Sequence, residues 1–185
     1  GIVSEESADC NEDSKEALKK KAEQIKIFLT DSDGCLTDGG LYYSEQGDEI
    51  KKFHAQDGMG FRLLRERGII IGIVTGEDVE MVHRRGQKLK MQEIHGGISD
   101  KLEVVNSICQ NYGCELKNVA YVGDDINDVN VLKKGGFGCS VANAVKEVSR
   151  KVDIQNINTE ESSRTVNEIT IGVQRVAEST EKVAE

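Results

Sequence analysis

Two aspartates two residues apart, Asp31 and Asp33, stand in the run Asp31-Ser-Asp-Gly-Cys-Leu-Thr-Asp38, which continues into Gly39-Gly40. Ahead of them Ile25-Lys-Ile-Phe-Leu-Thr30 alternates apolar and β-branched residues as a buried strand does. A strand ending there delivers two carboxylates into a glycine-rich turn, within reach of one cation. Carboxylates held close repel, and the repulsion is relieved by a hard cation, a hydrogen-bond donor or a shared proton. Mg²⁺ suits the place, because it takes oxygen ligands and keeps positions open for a phosphate. Ordinary turn chemistry is the competing account, since Asp-Gly is a common turn pair.

Three later features bear on that choice. Thr75-Gly76-Glu77 follows the apolar run Ile69-Ile-Ile-Gly-Ile-Val74, Lys101 follows Ser99-Asp100 at the start of a helical pattern, and Gly123-Asp-Asp-Ile-Asn-Asp128 follows Asn118-Val-Ala-Tyr-Val122. Cleaving a phosphate monoester requires a nucleophile, a proton for the leaving oxygen and positive charge on the non-bridging oxygens. In that scheme Asp31 is the nucleophile and Asp33 the acid and then the base. Thr75 donates to a phosphate oxygen and Lys101 supplies a fixed cation. Asp124 completes a metal site with Asp31 and Asp33, the latter through its main-chain carbonyl. Asp125, Asn127 and Asp128 are candidates to stand behind those ligands, with an exposed acid as the plainer reading of Asp128. Singly, each residue has a plainer reading: Thr75 in a turn, Lys101 solvated, Asp124-Asp125 capping a helix. Four such coincidences at successive strand ends are improbable.

The elements that must position these residues are legible as strands alternating with helices. Helical patterns follow Asp57-Gly58, with Asp57 as an N-cap, and run over about 78–89 and through Leu102, Val105 and Ile108. Short strands fall near Glu93-Ile-His95 and at Phe137 to Val141. This alternation predicts an α/β fold, a doubly wound Rossmann-like parallel sheet with helices on both faces, in which ligands bind at the carboxyl ends of the strands. Leu41-Tyr-Tyr-Ser44 and Glu49-Ile-Lys-Lys-Phe53 flank Glu45-Gln-Gly-Asp48 as a β-hairpin flap at about 40–54. Residues 1–24 read as a polar leader with a short helix, 25–160 as the core and 161–185 as a C-terminal amphipathic helix.

Composition narrows the function classes. A formal net charge of −9 argues against a nucleic-acid partner, which would need clustered Lys and Arg. No apolar run approaches the ~18 residues of a membrane span and no signal-like stretch opens the chain, so the expectation is a cytoplasmic protein without a membrane partner. The five cysteines form no CxxC pair, which suits neither a disulfide framework nor a zinc site. Cys35, among acidic neighbours that raise its pKa, reads as a filler thiol.

DxDG at 31–34, Thr75, Lys101 and GDDxND at 123–128 resemble, in their proper order, the four motifs of the haloacid dehalogenase-like hydrolases. The resemblance covers about residues 25–145. The DGxxTDG turn followed by a hairpin and by DGxG at 57–60 is similar to the capless branch of sugar-acid phosphatases. That branch acts on KDN and sialic acid 9-phosphates and on 3-deoxy-D-manno-octulosonate 8-phosphate. It implies an Mg²⁺-dependent phosphoric monoester hydrolase, a phosphorylated sugar acid as substrate, and a homotetramer whose hairpins associate. It also implies substrate contacts from Thr75, Gly76, Glu77, Arg85, Lys88 and Lys101, with Arg85 and Lys88 meeting a carboxylate. The octulosonate enzymes typically have Arg after Thr-Gly, whereas Glu77 here is as in the nine-carbon phosphatases. The expectation is therefore a nonulosonate 9-phosphate phosphatase working through an aspartyl-phosphate, with the octulosonate 8-phosphate enzyme as the alternative.

The chain departs from this branch at Glu161-Ser-Ser-Arg-Thr-Val-Asn-Glu168, where a glycine-rich GGxGAVRE-like segment is usual and Asn167 stands in place of an Arg. That puts a tail contact to a neighbouring active site in doubt. Two readings of another class compete: a phospho-acceptor signalling domain, which also combines Asp, Thr and Lys on a parallel sheet, and an oligomerisation module. Receiver domains place the acceptor after a middle strand of the sequence, while the DxD here follows the first.

Overall fold

The computed structural model describes residues 19–46 and 49–151; the expected leader over 1–18 and the C-terminal helix over 161–185 lie outside the described residues. Residues 19–23 are helical and lead into β1 (Ile27–Thr30). The hairpin β2 (Tyr42–Tyr43) and β3 (Glu49–Ile50) follows, then α1 (Asp57–Glu66), β4 (Ile70–Val74), α2 (Glu80–Lys88) and β5 (Glu93–His95). The second half runs α3 (Lys101–Asn111), β6 (Val119–Gly123), α4 (Val129–Lys134), β7 (Phe137–Ser140) and α5 (Lys146–Lys151).

Five strands form one parallel sheet in the order β5-β4-β1-β6-β7. From β1 the chain steps outward through β4 to β5, then returns across the sheet to lay β6 on the other side of β1. Ile27 is thus flanked by Ile70 and Val119, and Thr30 by Ile73 and Val122. The direction of winding reverses beside β1, and that reversal opens a crevice at the carboxyl ends of β1 and β6.

Alternation along the strands sorts their side chains onto two faces. Phe28, Ile71, Ile73, Ala120 and Val122 pack with Phe61 and Leu64 of α1 and Val82 of α2. Ile27, Leu29, Val74, Val119 and Tyr121 pack with Val105 and Ile108 of α3, Val131 of α4 and Val148 of α5. Helices therefore cover both faces, as the alternating pattern predicts. Phe28 and Phe61 meet edge to face with centroids 5.9 Å apart, which pins α1 against the central strand.

One local expectation changes. Asp57 does not cap α1: it is the first helical residue, the capping position is Gln56, and the Asp57 carboxyl is buried with neither oxygen hydrogen-bonded. Between Gly123-Asp-Asp125 and α4 the chain makes a 3₁₀ turn, Ile126–Asp128. The Asp128 carboxylate folds back onto the N–H groups of Asp124 and Asp125, which winds that turn tighter than an α-helix.

The hairpin pairs Tyr42 with Ile50 and Tyr43 with Glu49, and a bridge between Thr37 and Phe53 closes its base. Leu41, Tyr42, Tyr43 and Ile50 are all exposed, so this element carries an apolar surface that the other described residues leave uncovered.

Candidate active site

Asp31 extends β1 by one residue, its N–H donating to the Val122 carbonyl at 2.9 Å, so the backbone that carries it is held by β6. Its side chain is fixed at both oxygens. Oδ1 accepts from the Ser32 N–H at 2.7 Å, and Oδ2 lies 2.8 Å from Lys101 Nζ. Lys101 opens α3, a start capped by the Asp100 carboxylate accepting from the N–H groups of Leu102 and Glu103. The Lys101 side chain is wholly buried and also reaches Asp128 Oδ1 at 2.7 Å. Burial pulls its pKa down, but Asp31 and Asp128 push it up further, so the ammonium stays charged.

Asp128 is the anchor of this arrangement. Oδ1 accepts from Lys101 and from the Tyr121 hydroxyl at 2.8 Å, and Oδ2 accepts from the N–H groups of Asp124 and Asp125 at 3.1 and 3.2 Å. Asp125 is exposed and turns its own carboxylate to the Ile126 N–H. Asn127 is exposed on the same turn.

Asp124 stands at the end of β6, facing the turn that follows Asp31. Gly34 passes so close that a Cβ there would overlap the Asp124 carboxylate, and its φ of +78° is one that glycine adopts without strain. Asp31, Asp124 and Asp128 can each bring one oxygen within 4.8 Å of the others. Burial first, then the charge of Asp128, pushes Asp31 up to about 6, an effect that Lys101 only partly offsets. Burial first, then Asp31 and Asp128, pushes Asp124 up to about 7. Three carboxylates around one ammonium leave two negative charges uncompensated, and a divalent cation fits that deficit. Asp128 is already engaged by four donors, which leaves Asp31 and Asp124 as the side chains free to ligate.

Asp33 is oriented differently from its neighbour. Its Oδ1 accepts from Lys51 Nζ at 2.7 Å and from the Thr37 hydroxyl at 3.3 Å, so the carboxylate lies outside the group of three. A metal contact from Asp33 would have to come from its main-chain carbonyl.

Thr75 is buried at the end of β4, the strand beside β1, and its hydroxyl accepts from the Glu77 N–H at 3.4 Å. Gly76 follows, and Glu77 is half exposed with Oε2 on Lys51 Nζ at 2.7 Å. Arg85 reaches back from α2 to the His54 carbonyl at 2.7 Å and lies over the Phe53 ring at 5.6 Å. Lys88 is exposed on that helix. Among the described residues no hydrogen bond or ion pair links Arg85 or Lys88 to the cluster around Asp31. Cys35 is buried with Sγ 3.8 Å from Asp124 Oδ1, and burial, then Asp124, raises its pKa well above the usual thiol range, in keeping with a filler thiol.

Lys51 and Tyr121 escape a reading of the sequence. Lys51 and Lys52 are adjacent in the hairpin, and only the pairing of Thr37 with Phe53 shows that the residue two before Phe53 turns inward. Tyr121 reads as one more apolar strand residue until its hydroxyl is seen on Asp128.

Comparison with known proteins gives the family. The haloacid dehalogenase-like hydrolase family matches residues 90–163, which hold Lys101 and the Gly123–Asp128 turn. The chain is 34% identical over 125 residues to the 3-deoxy-D-manno-octulosonate 8-phosphate phosphatase of Yersinia pestis, covering 68% of this chain and 67% of that one. It is 36% identical over 124 residues to the Escherichia coli K12 enzyme of the same name, covering 67% and 66%. The chain thus spans about two thirds of the length of these relatives. Among solved structures, the Moraxella catarrhalis octulosonate 8-phosphate phosphatase, in complex with magnesium, phosphate and KDO, superposes with a TM-score of 0.82 at 35% identity, covering 86% of this chain and 91% of that one. The chain belongs to the haloacid dehalogenase-like hydrolases, in their sugar-acid phosphatase branch. It is a phosphoric monoester hydrolase.

Proposed function

We propose that the protein is an Mg²⁺-dependent phosphatase of a sugar-acid phosphate, with 3-deoxy-D-manno-octulosonate 8-phosphate as the favoured substrate. The observation that carries the chemistry is the placement of Asp31 at the winding reversal, braced by Lys101 and facing Asp124. The relatives that resemble the chain act on the octulosonate ester by name, and this shifts the reading away from the nine-carbon 9-phosphate expected from Glu77. Asp31, Asp124 and the Asp33 carbonyl would hold Mg²⁺, which would supply positive charge beside a phosphate and the Asp31 carboxylate. An Asp31 carboxylate oxygen attacks phosphorus, and the bond from phosphorus to the sugar oxygen breaks. Asp33 gives its proton to that departing oxygen. Lys101 and the Thr75 hydroxyl balance charge on the non-bridging oxygens. Asp33, now a carboxylate, takes a proton from water, whose oxygen attacks the phosphorus of the aspartyl-phosphate and releases Asp31 and inorganic phosphate.

Arg85 and Lys88 are assigned to the substrate carboxylate, and the exposed hairpin residues to a homotetramer interface, in a cytoplasmic enzyme. A panel of sugar-acid phosphates assayed with Mg²⁺ and with EDTA tests the reading. Preferential turnover of the octulosonate ester, lost with EDTA and in Asp31→Asn, is expected; an Asp31→Asn variant at the parental rate would end it. Glu77, the observation that favours a nonulosonate 9-phosphate, makes that ester the competitor whose kcat/KM is compared in the same panel.

A further inference from the structure

Lys51 lies at the foot of the hairpin, yet it is one of the few buried charged side chains outside the cluster around Asp31. Its side chain is 2% exposed and its ammonium is 2.7 Å from Asp33 Oδ1 and 2.7 Å from Glu77 Oε2. Three separate segments meet at that nitrogen: the turn after β1, the strand leaving the hairpin, and the loop after β4. The Thr37 hydroxyl adds a second donor to Asp33 Oδ1, while the N–H groups of Gly34 and Gly39 donate to the same hydroxyl. Both donors thus act on one oxygen of Asp33, and among the described residues its Oδ2 takes no hydrogen bond.

We propose that Lys51 is a positioning residue for protonation of the leaving oxygen, and that Glu77 acts on the reaction through it. By holding Oδ1, Lys51 sets the rotamer of Asp33 and leaves Oδ2 to carry the proton. A carboxyl on a two-torsion side chain at a loop samples several rotamers, and proton transfer requires approach to within hydrogen-bond distance. Glu77 takes a share of the ammonium, so a change at Glu77 moves Lys51 and, through it, Asp33. The residue after Thr75-Gly76 thereby influences catalysis without touching the reacting atoms. The inference rests on the assignment of Asp33 as acid and base made above.

The test uses two esters whose leaving groups differ in their need for a proton. With the full chain in excess over substrate and Mg²⁺ present, single-turnover release of the leaving group is followed for 3-deoxy-D-manno-octulosonate 8-phosphate and for p-nitrophenyl phosphate. The alkoxide requires protonation, whereas nitrophenolate leaves without it. Asp33→Asn is expected to slow the sugar ester at least ~100-fold and the aryl ester far less, in line with the usual contribution of a general acid. Lys51→Met is expected to slow the sugar ester ~10- to 100-fold and the aryl ester less than about threefold, with Lys51→Arg restoring part of the loss, as for a misplaced catalytic group. Equal losses on both esters in Lys51→Met would mean a structural role and overturn the inference, as would no loss. If Lys51→Met does not fold, Glu77→Gln decides: a shift of the ester ratio in the same direction supports the inference and an unchanged ratio overturns it. An Asp33→Asn variant that slows both esters alike removes the acid role itself, so the two failures are distinguishable.

Discussion

The ammonium of Lys101, shut away from solvent, rests 2.8 Å from Oδ2 of Asp31, the carboxylate assigned to attack phosphorus. An ordinary surface pair of this kind contributes little, but here Asp31, Asp128 and Lys101 are all buried and none can turn to water instead.

Removing that cation should therefore damage both stability and rate. Lys101→Met leaves Asp31 and Asp128 buried together without compensation, at a cost of ~3–5 kcal/mol for breaking a buried pair from one side. Urea unfolding measures it. The double variant Lys101→Met/Asp128→Asn should recover part of the stability and none of the activity, because the amide removes the repulsion but not the need for a cation at the phosphate.

Removal of one proposed ligand should act oppositely with and without metal. Asp124 is held up near 7 by burial and by Asp31 and Asp128, so in EDTA its charge is a liability. Asp124→Asn is expected to melt above the parent in EDTA. Added Mg²⁺ should raise the parent's Tm and leave the variant's almost unmoved, since stabilisation by a ligand scales with its affinity for the folded state. A magnesium-induced rise of equal size in the variant would remove Asp124 from the ligand set.

Asp57 makes a separate, pH-dependent prediction. Burial raises its pKa to about 7, against 3.8 ordinarily, and Arg85 only partly opposes the rise. In the unfolded chain the carboxyl ionises near its ordinary value, so below about 4 it is protonated in both states. Its contribution to stability is complete there and is lost as pH climbs through 7, where the folded chain must carry a buried carboxylate. Asp57→Asn lacks this titration. The stability of the variant relative to the parent should grow from pH 4 to 7.5, by up to ~4 kcal/mol, since each tenfold difference in proton affinity between the folded and unfolded chain is worth ~1.4 kcal/mol. Urea midpoints across that range check the slope; a flat difference would refute it.

The uncovered hairpin surface predicts assembly. Leu41 and Ile50 are each 60% exposed and Tyr43 is 67% exposed, on one short element. Tyr43→Lys with Ile50→Lys should convert an oligomer to a smaller species in light scattering, with thermal stability of the protomer changed little because neither residue contributes to the core.

Much of this arrangement was readable in the chain because it depends on local order. Strands such as Ile70–Val74 and Val119–Gly123 declare themselves as apolar runs of strand length, and each chemical residue follows one of them directly. The Asp31 and Asp124 carboxylates were legible for that reason: strand ends in a parallel sheet point one way, so residues found there converge. What stayed hidden depends on pairing across distance. The inward turn of Lys51 follows from the Thr37–Phe53 bridge, and nothing in Lys51-Lys52 itself separates the two. Asp57 misled for the opposite reason, since Asp before a helical run is a good cap until tertiary packing places it one residue inside, against the core. The 3₁₀ turn ahead of α4 was equally hidden, since it reflects a carboxylate, Asp128, reaching back across its own turn.

The reversal of winding beside β1 divides labour within this molecule. The groups assigned to phosphorus chemistry hang from the inner strands and the start of α3, a frame that cannot shift without disturbing both layers of the core. The hairpin and the loop after β4 sit outside that frame, and Lys51 links both of them to Asp33. Selection for a new sugar acid has residues 41–46 to rework while the buried frame is inherited intact, whereas a change at Glu77 is felt at Asp33 through Lys51.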